Sequence, residues 1–217
     1  MPLPNSHAEL DRLLQLRNEH PEQAADIDAQ IYETFSETHA ILVVDMSGFS
    51  RVTIRYSIIH FLGMLRRLCA IALPLIEQQQ GRLIKQEADN LFAVFPTVDQ
   101  AIDVAIALLK EIAIVNIDLP DALDIYISMG IGYGEVLMVE NKDLFGSEMN
   151  LASKLGEDLA RPGEVLLTEQ AYQQVESTSH QWERLEFSIS GLHLTTYKVL
   201  LAVPGVAMGR VNQKVEP

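Results

Sequence analysis

The stretch RLIKQEADNLFAVF, residues 82–95, decides the fold. Two strand-like flanks enclose the turn signal Ala88-Asp89-Asn90, which is the pattern of a β-hairpin, and Pro96 stops it. Upstream, an apolar helix spans roughly 55–79 and ends at the stop signal Gly81. Pro74 lies inside that helix and predicts a kink or an early end. Before the helix, AILVVDM (40–46) is a short apolar run, a buried-strand candidate, followed by the polar turn Ser47-Gly48-Phe49-Ser50. Downstream, a helix over about 98–115 presents Ala101, Val104, Ala105, Leu108 and Ile112 on one face. DIYISMGIGYGEVLMVE (124–140) then alternates, and Gly132-Tyr133-Gly134 predicts a second hairpin turn. The order is β-α-β-β-α-β, so the fold class is α+β with a ferredoxin-like palm core.

Elements continue on both sides of this core. After it come the loop NKDLFG, a helix over 147–160, a strand at GEVLLT, a short helix at EQAYQQV, and a final strand pair, RLEFSISG with TTYKVLLAV. Residues 1–38 read as a helical extension, with Ser6 and Glu9 as a capping box and a stripe of Ile27, Ile31 and Phe35 that packs on the main domain or on a partner chain. The main domain is expected over 39–203, and 204–217 as a flexible tail without periodicity.

Composition narrows the function classes. The chain has 217 residues, 48% hydrophobic, and a formal net charge of −14. That balance argues against a nucleic-acid surface, which needs clustered Lys and Arg. The single cysteine, Cys69, excludes a disulfide framework and a Cys-based zinc site, and points to a reducing, cytoplasmic setting. No secretory signal is legible at MPLPNSHAEL. The two long apolar stretches carry Arg66 and Arg67, or Asp103, Lys110 and Glu111, so both read as core helices rather than membrane insertions.

Three features could carry chemistry. Asp45 closes the buried strand, where an ionised carboxylate needs a partner such as a metal ion. Gly48 in the following turn allows close backbone approach, so N–H groups there can receive phosphate oxygens. Asp89 sits at the hairpin tip, and a β-α-β-β core can bring it to Asp45. Two carboxylates about 4 Å apart repel by about 4 kcal/mol at an effective dielectric near 20, which divalent cations would relieve. All-oxygen ligation favours Mg²⁺ or Mn²⁺ over zinc. Asn150 and Lys154, four apart, share a helix face and suit a developing phosphoryl charge. Singly, each has a structural reading: a strand-end cap, a local turn residue, a helix surface.

Together they carry a resemblance. DMSGFS, then KQEADNLFAVF, then DLFGSEMNLASKL, in this order over about residues 40–200, resemble the catalytic domain of class III nucleotidyl cyclases. The resemblance implies that Asp45 and Asp89 hold two metal ions, that Lys85 and Asp143 select adenine, and that Asn150 and Lys154 stabilise the transition state. It implies that Ser47, Gly48 and Phe49 form the turn that meets the phosphates. It also implies an adenylate cyclase acting on ATP, with Mg²⁺ or Mn²⁺ (two ions per site), as a head-to-tail homodimer whose sites are shared between chains. The rival is a catalytically silent cyclase-like module that signals through its dimer interface, and the N-terminal helices are candidates for meeting a regulatory protein partner. Three positions depart from the pattern: Lys154 stands for the usual Arg, Ala88 for the usual Gly, and Ser188–His193 lacks the usual phosphate-binding Lys. A diguanylate-type cyclase is excluded by the absence of its signature.

Overall fold

The computed structural model describes residues 3–48, 53–120, 123–189 and 192–201. Helices α1 (His7–Glu19) and α2 (Ala24–Phe35) precede β1 (Ser36–Met46). Then come α3 (Ile58–Gln78), β2 (Arg82–Glu87), β3 (Asn90–Phe95), α4 (Val98–Ile117) and β4 (Ile127–Val139). β5 (Asp143–Phe145), α5 (Ser147–Lys154) with a π turn at Leu155–Leu159, β6 (Val165–Thr168), α6 (Glu169–Tyr172), β7 (Gln181–Ile189) and β8 (Leu192–Leu200) complete the chain. The strands form one sheet in the order β2-β3-β1-β4-β6-β8-β7, with β5 also on β4. Among the described residues only the β4–β6 pairing is parallel.

Strand β1 is central, and its alternating side chains supply both faces of the sheet. Leu42, Val44 and Met46 enter the larger core beneath α3 and α4. Ile41 and Val43 point the other way, into a smaller core with Phe92, Val136, Met149 and Ala152 beneath α5. Asp45 is next in that second series, so its parity alone puts it on the α5 side. The N-terminal stripe packs on the main domain: Ile27, Ile31 and Phe35 join Leu10, Leu13 and Val139 in a third cluster. Ser6 caps α1 by accepting from the Glu9 N–H, but the Glu9 carboxylate turns to Arg12, so only half of the expected capping box forms.

Three local expectations are corrected. Helix α3 runs through Pro74 to Gln78, because the buried Ala72 and Ile76 hold its last turns on the core and the Gly81 N–H closes them on Ile76. Residues 132–134 are not a turn, since β4 is continuous through them. Its glycines instead make room for α5: a Cβ on Gly130 would lie 2.0 Å from the Ala152 carbonyl oxygen. The chain reverses further on, with Glu140 and Asn141 both at positive φ (52° and 53°) and the Lys142 N–H bonded to the Val139 carbonyl. Finally, α5 passes at Leu155 into a π turn before Ala160. The proposed tail, 204–217, lies outside the described residues.

Candidate active site

Backbone register assembles the first half of the site. Asp45 lies opposite Asn90 on β3 and Ser128 on β4. The Ser128 hydroxyl donates to its carboxylate at 3.4 Å. The hairpin tip is tied to the same strand end, since the Met46 N–H donates to the Asp89 carbonyl at 3.3 Å. Burial pushes the Asp45 carboxyl up to about 6, and the neighbouring Asp89, Glu157 and Asp158 carboxylates push the same way against the Ser128 bond.

Glu157 is the residue the sequence reading missed. The π turn carries it to this end of the sheet, where burial and then Asp158, Asp89 and Glu87 raise its pKa. Gly156 permits the approach: a Cβ there would lie 3.0 Å from the Gly130 nitrogen and 3.3 Å from the Val43 carbonyl oxygen. The visible signal was Leu155-Gly156-Glu157-Asp158 directly after Lys154, a glycine and two acids where a plain helix was expected.

Ala88 adopts φ = 51°, so the expected left-handed position is real and an alanine occupies it. Gly48 likewise has φ = 94°. One part of the phosphate expectation fails at Ser47, whose N–H donates to the Tyr126 carbonyl at 2.8 Å and is not open to a ligand. Phe49 lies outside the described residues.

The second half is a matched pair. Lys85 Nζ lies 2.9 Å from Asp143 Oδ1 and 3.0 Å from Glu87 Oε2, and 5.0 Å from the centre of the Phe92 ring. Burial draws the Lys85 pKa down, but the bonds to Asp143 and Glu87 outweigh it and leave it raised. Asp143 also accepts from the Leu144 N–H, and His7 Nε2 of α1 stands 3.9 Å from its Oδ2. On α5, Asn150 is exposed, and Lys154 Nζ bonds the Asp158 carboxylate at 2.5 Å.

The donor set fits hard divalent cations. It is carboxylate oxygen and crowded, and burial together with the neighbouring Asp89, Glu157 and Asp158 carboxylates raises the Asp45 pKa. Among the described residues no three His, Cys, Asp or Glu side chains converge enough to hold an ion by themselves. Such an ion needs further oxygens, of the kind a polyphosphate supplies. Two cavities of about 440 and 280 Å³ among the described residues are lined by neither Asp45 and Asp89 nor Lys85, Asn150 and Lys154.

Residues 31–201 match the family model of the adenylate and guanylate cyclase catalytic domain. The chain belongs to this family. The cyclase domain is also 32% identical over 154 residues to putative adenylate cyclase 3 of Rhizobium meliloti (strain 1021), covering 71% of this chain and 25% of that protein. It thus spans about a quarter of the length of that curated relative. The adenylate/guanylate cyclase/hydrolase of Silicibacter pomeroyi superposes with a TM-score of 0.67 at 23% identity, covering 76% of this chain and 98% of that one. The adenylyl cyclase CyaB of P. aeruginosa gives 0.64 at 17% identity, over 79% and 99%. The guanylate cyclase domain of RhGC from Catenaria anguillulae, in complex with GTP, gives 0.64 at 18% identity, over 76% and 96%. These likenesses establish the cyclase palm fold, and both base specificities occur among them.

Proposed function

We propose that the cyclase domain is an adenylate cyclase, converting ATP to 3′,5′-cyclic AMP and pyrophosphate at sites shared between two copies of the chain in the cytoplasm. The observation that carries the adenine reading is the Lys85–Asp143 contact at 2.9 Å. An ammonium donates to a ring nitrogen and a carboxylate accepts from an exocyclic amine, which is the complement of adenine N1 and its 6-amino group. Guanine presents an N–H and a carbonyl there, so both partners would face their own kind, a mismatch that a buried polar site rejects strongly.

Asp45 and Asp89 would hold two Mg²⁺ or Mn²⁺ ions between them. Bound there, the ions would acidify the ribose 3′-hydroxyl and neutralise the departing pyrophosphate. The 3′ oxygen bonds to the α-phosphorus, the bond to the α–β bridging oxygen breaks, and the hydroxyl proton is released. Asn150 and Lys154 of the second chain would donate to the α-phosphate as charge builds. Lysine supplies one point charge where an arginine would supply a fork, and here it must first leave Asp158. Those two facts favour a slow enzyme. They also give substance to a second reading, a nucleotide-binding module without turnover.

The deciding assay compares ATP and GTP with each metal. Cyclic AMP formed from ATP, with GTP turned over far more slowly, is the expected result. Bound ATP without product selects the silent module. Mixing Asp45→Ala with Asn150→Ala chains should restore part of the activity, because each mixed dimer contains one intact site. Verified heterodimers without activity would refute the shared site.

A further inference from the structure

Helix α3 has two apolar sides and a core beneath only one of them. Its inner side buries Phe61, Met64, Leu65, Leu68, Ala72 and Ile76. The outer side runs in steps of three and four through Ile59, Leu62, Arg66, Ala70 and Pro74, so before Glu77 its one polar member is Arg66. Ile59 is 78% exposed and Leu62 53%, and Ile54, just ahead of the helix, is 88% exposed. A solvent-facing side of a helix is ordinarily polar. By length and composition α3 is apolar enough to cross a membrane, but its inner side is committed to the sheet, so it can lie on a bilayer and not span one.

Charge adds an independent observation. From Ser47 to Ile76 there is no Asp or Glu, in a chain that has 30 of them, while Arg51, Arg55, Arg66 and Arg67 all fall there. Elsewhere Arg12, Arg17, Arg82 and Arg184 each pair with a carboxylate, and among the described residues Arg161 alone outside this segment does not. Among the described residues, Arg55, Arg66 and Arg67 have no carboxylate within ion-pair distance. Arg66 also lines a groove of about 280 Å³ with Leu62, Leu73 and Leu83.

We propose that this face docks on an anionic lipid surface, with α3 lying in the plane of the interface. Ile54, Ile59 and Leu62 enter the acyl boundary, and the exposed Arg55 and Arg66 meet the headgroups. The net charge of −14 does not oppose this at contact, because screening beyond about 8–10 Å confines each charge to its own side of the molecule. It instead orients the approach, because all 30 acidic residues lie outside residues 47–76. The assignment is independent of the cyclase reading and stands or falls without turnover.

The test is co-sedimentation of the full chain with phosphatidylcholine vesicles, with and without phosphatidylserine. The protein should pellet with the phosphatidylserine vesicles, release as salt is raised, and stay in solution with phosphatidylcholine alone. Ile59→Glu with Leu62→Glu, and separately Arg66→Glu, should each weaken binding roughly tenfold or more, with melting temperatures unchanged because these side chains touch solvent. Wild-type protein that stays in solution with both vesicle types overturns the proposal, and equal pelleting with both overturns its anionic part. If sedimentation analysis shows a dimer that these substitutions dissolve, with no vesicle binding, the face belongs to a second copy and not to lipid.

Discussion

The candidate site on the α5 side of the sheet has two ends, joined through Glu87, that handle charge in opposite ways. At one end Asp45, Asp89, Glu157 and Asp158 gather, and the cation that reaches them, Lys154, is bonded to Asp158. At the other, Lys85 and Asp143 are in contact, with Glu87 and the Phe92 ring against the lysine. The first end gathers more carboxylates than cations, which suits the divalent ions proposed to bind there. The second is internally paired, with a donor and an acceptor set side by side. A phosphate needs charge delivered to it, whereas a purine edge needs a preformed pattern. The difference between the ends matches that division.

The largest way to break the contrast is to neutralise the carboxylate-rich end. Asp45→Asn should lower cyclic AMP formation at least about 1000-fold. The same change should raise the metal-free melting temperature at pH 7, because it removes a half-buried carboxylate that lacks a counter-charge. A metal-free melt that falls instead would mean that Asp45 is structurally required. At the paired end, Lys85→Glu with Asp143→Asn exchanges donor for acceptor, and should shift the ATP-to-GTP rate ratio by about 100-fold toward GTP. An unmoved ratio would place base selection elsewhere.

Titration separates the ends more gently. With its pKa at about 6, against 3.8 for an ordinary aspartate, Asp45 takes up a proton in the folded chain between those values. Its ionisation therefore costs the metal-free fold stability as pH rises through 6, and that loss is recovered as pH falls toward 4. Cation binding has the opposite sign. Mn²⁺ affinity, read by calorimetry on protein saturated with a non-hydrolysable ATP analogue, should decline by up to about tenfold per unit below pH 6 as protons compete for Asp45. A flat profile from pH 7 to 5 would remove Asp45 from the ion's ligands.

The smallest effect is at the hairpin tip. Ala88→Gly relieves the strain at φ = 51° but frees the unfolded chain. The net gain should be about 0.5 kcal/mol, a rise of about 1–2 °C in melting temperature.

How much of this was legible in the sequence follows from what each signal depends on. Strand β1, the 82–95 hairpin and the α5 pair of Asn150 and Lys154 rest on local pattern, and the residues state them directly. The Lys85–Asp143 contact joins residues 58 apart and came only through the resemblance. Gly132 and Gly134 misled because a glycine that admits a neighbouring helix looks in sequence like a glycine that turns the chain. The real turn at Glu140-Asn141 contains no glycine at all. Glu157 was missed for a related reason: a π turn moves one residue to a new face, and helical periodicity assumes that no such residue exists.

The N-terminal clasp has a practical consequence. Asn5 bonds both the Met138 carbonyl and the Glu140 N–H, Leu13 and Ile27 cover Val139, and His7 reaches Asp143. The first 35 residues therefore brace the corner that holds Asp143. A shortened chain starting at Ser36 would retain every acidic residue around Asp45. It would lose the wall behind Asp143, and with it the support of the residue proposed to meet the base.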